Sequence, residues 1–247
     1  MDHIDYDQIA EFYDLYANTD YDHAFFLERI KPGLKLLELT SGTGRLSLPL
    51  ARAGARLTCV DISQAMLARL EEKLSAESLS AEILCADIQQ LHFDAEFDMA
   101  ILPFQSFMEL TGREKQLNAL HAIHKALRPG GIFYCTMHNP AIRKKSVDGI
   151  FRAVGTFQTE DGYLVVSGFE TAGNPVVKRS QFLDFYDASG HWQKRQLLPM
   201  EFELIEQDSF EAMATLAGFE VNGLFGDYHA TPFEPTSSPV MIWQLTK

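Results

Sequence analysis

The sequence predicts an α/β fold: a doubly wound, mostly parallel seven-stranded sheet carrying an inserted antiparallel β segment. Three observations predict it. Between residues 34 and 137, short apolar runs alternate with amphipathic helical patterns, the rhythm of parallel strands joined by crossover helices. From about Gly149 that rhythm stops, and four β-rich runs follow one another with turn residues between them. One more helical pattern and two apolar runs, over 209–245, then return the chain to the first sheet.

The elements follow in order. Residues 6–30 read as an amphipathic helical segment with Ile9, Phe12, Tyr13, Tyr16, Phe25, Phe26, Leu27 and Ile30 on its apolar side, ended by Pro32-Gly33. Residues 34–39 form the first buried strand, with a helix over 44–53 behind it. A second strand over 56–60 leads to a helix over 63–74, where Ser63 is the expected N-cap and Ala65, Met66, Leu70 and Leu74 face the core. Strands three and four span 82–86 and 97–102. A long helix over 113–127 carries Leu117, Leu120, Ile123 and Leu127 on one stripe. Pro129-Gly130-Gly131 is a turn into a fifth strand over 132–137.

The β-rich runs cover 151–158, 163–169, 176–186 and 192–205. Glu160-Asp161-Gly162, Gly173-Asn174-Pro175 and Ser189-Gly190 separate them, as in consecutive hairpins. A helix over 209–217 ends at Gly218, and the last strands span 219–225 and 239–245. The expected organisation is one Rossmann-like domain made of residues 1–148 and 207–247, interrupted by an insertion over 149–206.

Composition narrows the function. The chain has 247 residues, 46% of them hydrophobic, and a formal charge of −13. A chain this acidic, with no basic stripe, is not expected to bind nucleic acid. The start, Met1-Asp2-His3-Ile4-Asp5-Tyr6-Asp7, lacks the apolar core of a signal peptide, and no apolar run reaches membrane-spanning length. Cys59, Cys85 and Cys135 are odd in number and each lies in an apolar run, so buried thiols are expected rather than disulfides or metal ligands. A cytoplasmic enzyme with a small-molecule substrate is the expectation, with no metal site and no membrane partner.

The chemistry concentrates at three strand tips. Leu36-Leu37-Glu38-Leu39-Thr40-Ser41-Gly42-Thr43-Gly44-Arg45-Leu46 runs from a buried strand through a glycine turn into a helix, where a nucleotide-type cofactor can approach the backbone. Asp61 follows the second strand, 19 positions beyond Gly42, near the spacing of a ribose-binding acid. Asp87, in Cys85-Ala86-Asp87-Ile88, follows the third strand and can accept from an adenine amino group. A dinucleotide fingerprint would place a third glycine where Ser47 stands, and Glu38 would repel a pyrophosphate. A sulfonium cofactor suits those acids better. Single helix caps remain the plainer reading of Asp61 or Asp87 taken alone.

In order, Leu-Glu-Leu-Thr-Ser-Gly-Thr-Gly, Val60-Asp61-Ile62-Ser63, Ala86-Asp87-Ile88 and Leu127-Arg128-Pro129-Gly130-Gly131 resemble the motifs of class I S-adenosylmethionine-dependent methyltransferases of the small-molecule branch. Tyr6-Asp7-Gln8-Ile9-Ala10-Glu11-Phe12-Tyr13-Asp14 is similar to that branch's N-terminal helix. The likeness covers residues 6–137 and resumes more faintly at Ala217-Gly218-Phe219-Glu220-Val221. It implies S-adenosylmethionine as cofactor. Gly42 and Gly44 would lie under its methionine portion, with Glu38, Thr40, Ser41 and Arg45 around them. Asp61 would hold the ribose, with Met66 beside it, and Ile62 would pack on the adenine. Ala86, Asp87 and Ile88 would meet the adenine. Leu102, Phe104 and Phe107 belong to the loop flanking the methyl donor, and Tyr13 would cover the cofactor.

Thr40 stands where the family usually has its first glycine, and its Cβ leads us to expect an ordinary backbone region there. His138, Tyr228 and His229 are candidate proton acceptors, although hydrogen-bonded loop residues are the plainer reading of all three. The expected reaction is in-line methyl transfer to N or O of a small molecule. The insertion is expected to act as a substrate lid and to offer a surface for a homodimer. The competing expectations are a non-catalytic S-adenosylmethionine-binding protein and an NAD-dependent oxidoreductase.

Overall fold

The computed structural model describes residues 4–173 and 176–247. Met1, Asp2 and His3 of the acidic start, and Asn174 and Pro175 of one expected turn, therefore lie outside the described residues.

After a 3-10 turn at Tyr6–Ile9 come α1 (Tyr13–Tyr16), α2 (His23–Leu27), β1 (Lys35–Leu39), α3 (Ser47–Arg52), β2 (Arg56–Asp61), α4 (Gln64–Ala76), β3 (Glu82–Cys85) and β4 (Phe97–Leu102). The order continues through α5 (Arg113–Ala126), β5 (Leu127–His138), α6 (Pro140–Arg143), β6 (Arg152–Gln158), β7 (Gly162–Ala172), β8 (Val176–Asp187), β9 (Trp192–Glu203), α7 (Gln207–Leu216), β10 (Glu220–Phe225) and β11 (Val240–Thr246).

Seven strands form the main sheet in the order β10-β11-β5-β4-β1-β2-β3. The pairs β1–β2, β1–β4, β2–β3 and β4–β5 are parallel, whereas β11 runs antiparallel to both β5 and β10. Central strands are apolar on both sides because helices cover both faces. Leu36, Met99, Ile101 and Ile242 join a core with α3 and α4. Their neighbours Leu37, Ala100, Leu102 and Trp243 point the other way, into a core with α5 and α7.

The second sheet contains β6-β7-β8-β9 in sequence order, all antiparallel. Its inward residues Leu164, Val166, Leu183 and Leu198 pack with Ile4, Ile9, Ala10 and Met66. The N-terminal segment is thus the bridge between the two sheets. Among the described residues, no helix is long and apolar enough to cross a membrane.

Three expectations need correction. The segment over 6–30 is not one helix but a 3-10 turn and two short helices. Between α1 and α2, the Thr19 carbonyl and the Asp22 carboxylate are both taken by Arg45, at 2.7 and 2.6 Å, which holds the chain out of helical register. The helix after β1 begins at Ser47 rather than Gly44, because Gly42 and Gly44 adopt φ of +55° and +90°. Cys85 is exposed, unlike Cys59 and Cys135, because β3 is the edge strand of its sheet. Within β5, pairing with β4 passes from Leu127 directly to Ile132. The expected Pro129-Gly130-Gly131 turn sits in that gap, with Gly130 at φ +76°.

Candidate active site

The carboxyl ends of β1 to β5 meet one cavity of about 640 Å³, within the usual range for small-molecule sites. Its other wall comes from the second sheet, through Val154, Arg179, Gln181, Leu198, Met200 and Phe202.

At the tip of β1, Thr40 has φ +56°. This corrects the expectation of an ordinary backbone region, and for a β-branched residue it is a strained conformation. Two bonds hold it: Thr40 Oγ1 donates to the Leu39 carbonyl at 2.6 Å, and Ser41 N–H donates to the Val60 carbonyl at 3.0 Å. With Gly42 and Gly44 also at positive φ, the loop turns sharply enough to present its backbone to the cavity.

At the tip of β2, Asp61 is buried. Its Oδ2 accepts from Gly42 N–H at 2.8 Å and its Oδ1 from Ser63 N–H at 2.9 Å. Burial raises the pKa of this carboxyl, and the Ser63 and Gly42 amides pull it back. Ser63 caps α4, accepting from Met66 N–H at 3.1 Å, and Ser63 Oγ itself donates to Asp7 of the N-terminal segment at 2.5 Å. After β3, Asp87 caps a 3-10 turn by accepting from Gln89 N–H at 2.9 Å while also lining the cavity. Asp87 is therefore both a cap and a cavity residue, whereas the cap reading fails for Asp61, because Ser63 caps α4.

After β4, Phe104 and Gln105 take φ of +58° and +64° and lead into the 3-10 turn Ser106–Glu109. Glu109 accepts from the Tyr6 hydroxyl at 2.8 Å, and burial raises its carboxyl to about 7. At the end of β5, burial lowers His138 to about 4, with the positive charge of Arg143 adding to the effect. Its imidazole is neutral at neutral pH.

Of the residues expected from sequence, Tyr13, Thr40, Gly42, Asp61, Ile62, Met66, Ala86, Asp87, Ile88, Phe104 and His138 line the cavity. The others stand behind or beside it. Glu38 is fully buried, accepts a weak hydrogen bond from Cys59 Sγ at 3.8 Å and has its carboxyl pushed up to about 7 by burial. Ser41 is buried in the loop. Gly44 serves packing, since a Cβ there would lie 2.4 Å from Leu70 Cδ1. Arg45 forms a two-pronged ion pair with buried Asp22 at 2.6 Å. Leu102 and Phe107 are core residues, Phe107 packing edge-on against Phe210. Tyr228 accepts from Gln105 Nε2 at 3.2 Å, one layer outside the wall. His229 is an exposed loop residue whose N–H donates to Asp227. Sequence reasoning missed Glu109, Arg143, Arg179 and Gln181 in the wall. No local pattern flags them, because the tertiary fold alone brings them to the cavity.

These residues fit an adenosyl sulfonium. A Cβ at Gly42 would meet no atom within 4 Å, so the loop is open to a ligand at that point. Ile62, Met66 and Ile88 supply apolar surface beside Asp61 and Asp87. The nearest loop cation, Arg45, is tied to Asp22. The sheet's contribution is therefore acidic, which favours a cation and disfavours a pyrophosphate.

Residues 36–131 match the methyltransferase domain family. Over 221 residues, 85% of this chain and 82% of the relative, the chain is 28% identical to the cypemycin N-terminal methyltransferase of a Streptomyces species. It superposes on an S-adenosylmethionine-dependent methyltransferase from Clostridium acetobutylicum with TM-score 0.82 at 18% identity, covering 98% of each chain. CalS10 from Micromonospora echinaspora, an amino pentose methyltransferase solved with S-adenosylmethionine bound, superposes with TM-score 0.73 at 17% identity, covering 95% of this chain and 94% of that one. Residues 36–131 thus carry a methyltransferase domain, and the fold of the chain matches that of S-adenosylmethionine-dependent methyltransferases. Its cofactor is S-adenosylmethionine.

Proposed function

We propose that this enzyme methylates a nitrogen of a small amine held between the sheet's edge and the insertion over 149–206, which serves as a lid on the domain formed by 1–148 and 207–247. The observation that carries this reading is a cavity walled by both parts. The bound cofactor supplies an activated methyl group, so the protein's task is to align the acceptor and exclude water. Asp61 and the loop over 40–44 hold the adenosyl and methionine portions. Asp87, Ile88 and Ile62 frame the base.

A nitrogen acceptor needs less help than a hydroxyl, because a neutral amine attacks without losing a proton first. His138 supports this reading. At about 4 its imidazole is too weak a base to ionise a hydroxyl, yet it is a neutral acceptor that can orient an amine N–H. Glu109, at about 7, is the wall group whose proton affinity matches neutral pH and can take up the proton released after transfer. The names of two similar proteins support this reading, one being the cypemycin N-terminal methyltransferase and the other an amino pentose methyltransferase.

Incubation with S-adenosylmethionine and a panel of small amines and matched alcohols, read by S-adenosylhomocysteine release and product mass, tests this. Methylation of amines alone is the expected result. Methylation of the alcohols in preference would overturn the nitrogen assignment.

A further inference from the structure

The amine proposed above as substrate enters a cavity whose charges are segregated. Its carboxylates, Asp61, Asp87 and Glu109, stand at or beyond the ends of strands β2, β3 and β4 of the main sheet. Arg143 and Arg179 reach it from α6 and from β8 of the insertion, and Lys115 of α5 is a further cation of the wall. In a chain with net charge −13, such placement asks for an explanation.

Glu170, directly opposite Arg179 in the β7–β8 register, is the acid that Arg143 and Arg179 share. Arg143 Nη2 lies 2.5 Å from both Glu170 carboxylate oxygens, and Arg143 Nη1 donates to Ser146 Oγ at 2.5 Å. Arg179 Nη1 stands farther off, 3.7 Å from Glu170 Oε1. Arg179 Nη2 donates to Gln181 Oε1 at 2.8 Å, and Gln181 Nε2 donates to the Tyr16 hydroxyl at 3.2 Å. Glu170 is thus spent mainly on Arg143, and two guanidinium charges face one carboxylate. The Gln181–Tyr16 chain fixes the orientation of Arg179 toward the cavity. Leu198, Met200 and Phe202 surround the group with apolar surface, and the Arg143 guanidinium lies 5.2 Å from the Phe202 ring centre. Low polarity strengthens an ion pair there, and a planar guanidinium matches a carboxylate with two parallel hydrogen bonds.

We propose that Arg179, supported by Arg143, binds a carboxylate on the substrate, so that the molecule methylated is an amino acid or a close relative of one. This rests on the reading of the cavity as an amine site. The two ends of the cavity then act together: the carboxylate docks on the insertion side, and the nitrogen is turned toward His138, Glu109 and the cofactor loop. Gln181 and Arg143 are positioning residues in this scheme, and Arg179 is the group that touches substrate.

The test uses the full chain saturated with S-adenosylhomocysteine and follows thermal unfolding with the twenty protein amino acids, their amides, ethanolamine and phosphoethanolamine. At least one amino acid should raise the unfolding temperature further while its amide does not. Arg179→Gln should weaken that response ten- to a hundredfold in half-maximal concentration, leaving the shift from S-adenosylhomocysteine itself unchanged. Arg179→Lys, which keeps the charge and loses the fork, should fall between the two. The proposal is overturned if amides stabilise as well as their acids, if no amino acid stabilises, or if Arg179→Gln responds like the parent. A stronger response to phosphoethanolamine than to every amino acid overturns the carboxylate assignment. Failure of S-adenosylhomocysteine alone to stabilise would instead bring down the cofactor reading, and this proposal with it.

Discussion

Replacing Asp61 by Ala tests the cofactor site through a quantity that can be worked out in advance. The carboxylate accepts one backbone N–H on each oxygen, from Gly42 at 2.8 Å and Ser63 at 2.9 Å. Each oxygen keeps further acceptor capacity, and the residue lines the cavity. Two ribose hydroxyls donating to that carboxylate are charge-assisted bonds worth about 1.5 kcal/mol each at the low end of their range. Their loss, about 3 kcal/mol, weakens S-adenosylhomocysteine binding about 150-fold. Calorimetric titration measures this directly. Thermal unfolding gives a second readout: a concentration that stabilises the parent by about 2.7 kcal/mol, at 100 times its Kd, should stabilise the variant by only about 0.3 kcal/mol. Unfolding without ligand shows whether the variant still folds. A folded variant whose Kd lies within threefold of the parent's refutes the assignment.

Two further predictions concern the loop and the acid beneath it. Burial holds Glu38 at about 7 against an ordinary 4.5, so across that window the native chain keeps a proton that the unfolded chain has released. Stability therefore falls as pH rises through it, by about 3 kcal/mol from this group. Glu38→Gln should flatten the difference between urea unfolding at pH 5 and pH 7.5 by about that amount, leaving the parallel contribution of Glu109; an unchanged difference would show that Glu38 is not the group responsible. Thr40→Gly removes a strained left-handed residue worth about 1 kcal/mol, partly offset by the greater freedom of glycine in the unfolded chain. The urea midpoint should rise, and a lower midpoint would mean that the Thr40 Oγ1 bond to the Leu39 carbonyl outweighs the strain.

The sheet and the three strand tips were legible because each rests on local signals. Apolar runs mark buried strands, Ser63 marks the start of α4, and Asp61 and Asp87 each stand at or just past a strand end. Orientation was harder to read. β1 is covered on both faces, so Leu36, Leu37, Glu38 and Leu39 are all buried, and no alternation shows that Glu38 turns inward rather than toward the ligand. Residue preference alone does not reveal the backbone of Thr40, because the Ser41 N–H bond to the Val60 carbonyl holds the turn from the neighbouring strand. The split of the first helical segment depends on Arg45, more than 20 residues away. Likewise, Arg143 and Arg179 come together only because Glu170 lies between them in the folded chain.

The placement of β11 bears on how the molecule is made. It lies between β5 and β10, seven of its residues pair with β5, and it buries Trp243 among Phe210 and the other residues of that core. Just beyond it, Lys247 exchanges backbone hydrogen bonds with Gly130 and Gly131 at 2.8 and 3.0 Å. During synthesis, β5 therefore waits with one edge bare until more than a hundred further residues have been added, and it can be sealed only when residue 246 has left the ribosome. A nascent chain stalled before that point would display an open, apolar strand of the kind that chaperones shield and that neighbouring chains can capture.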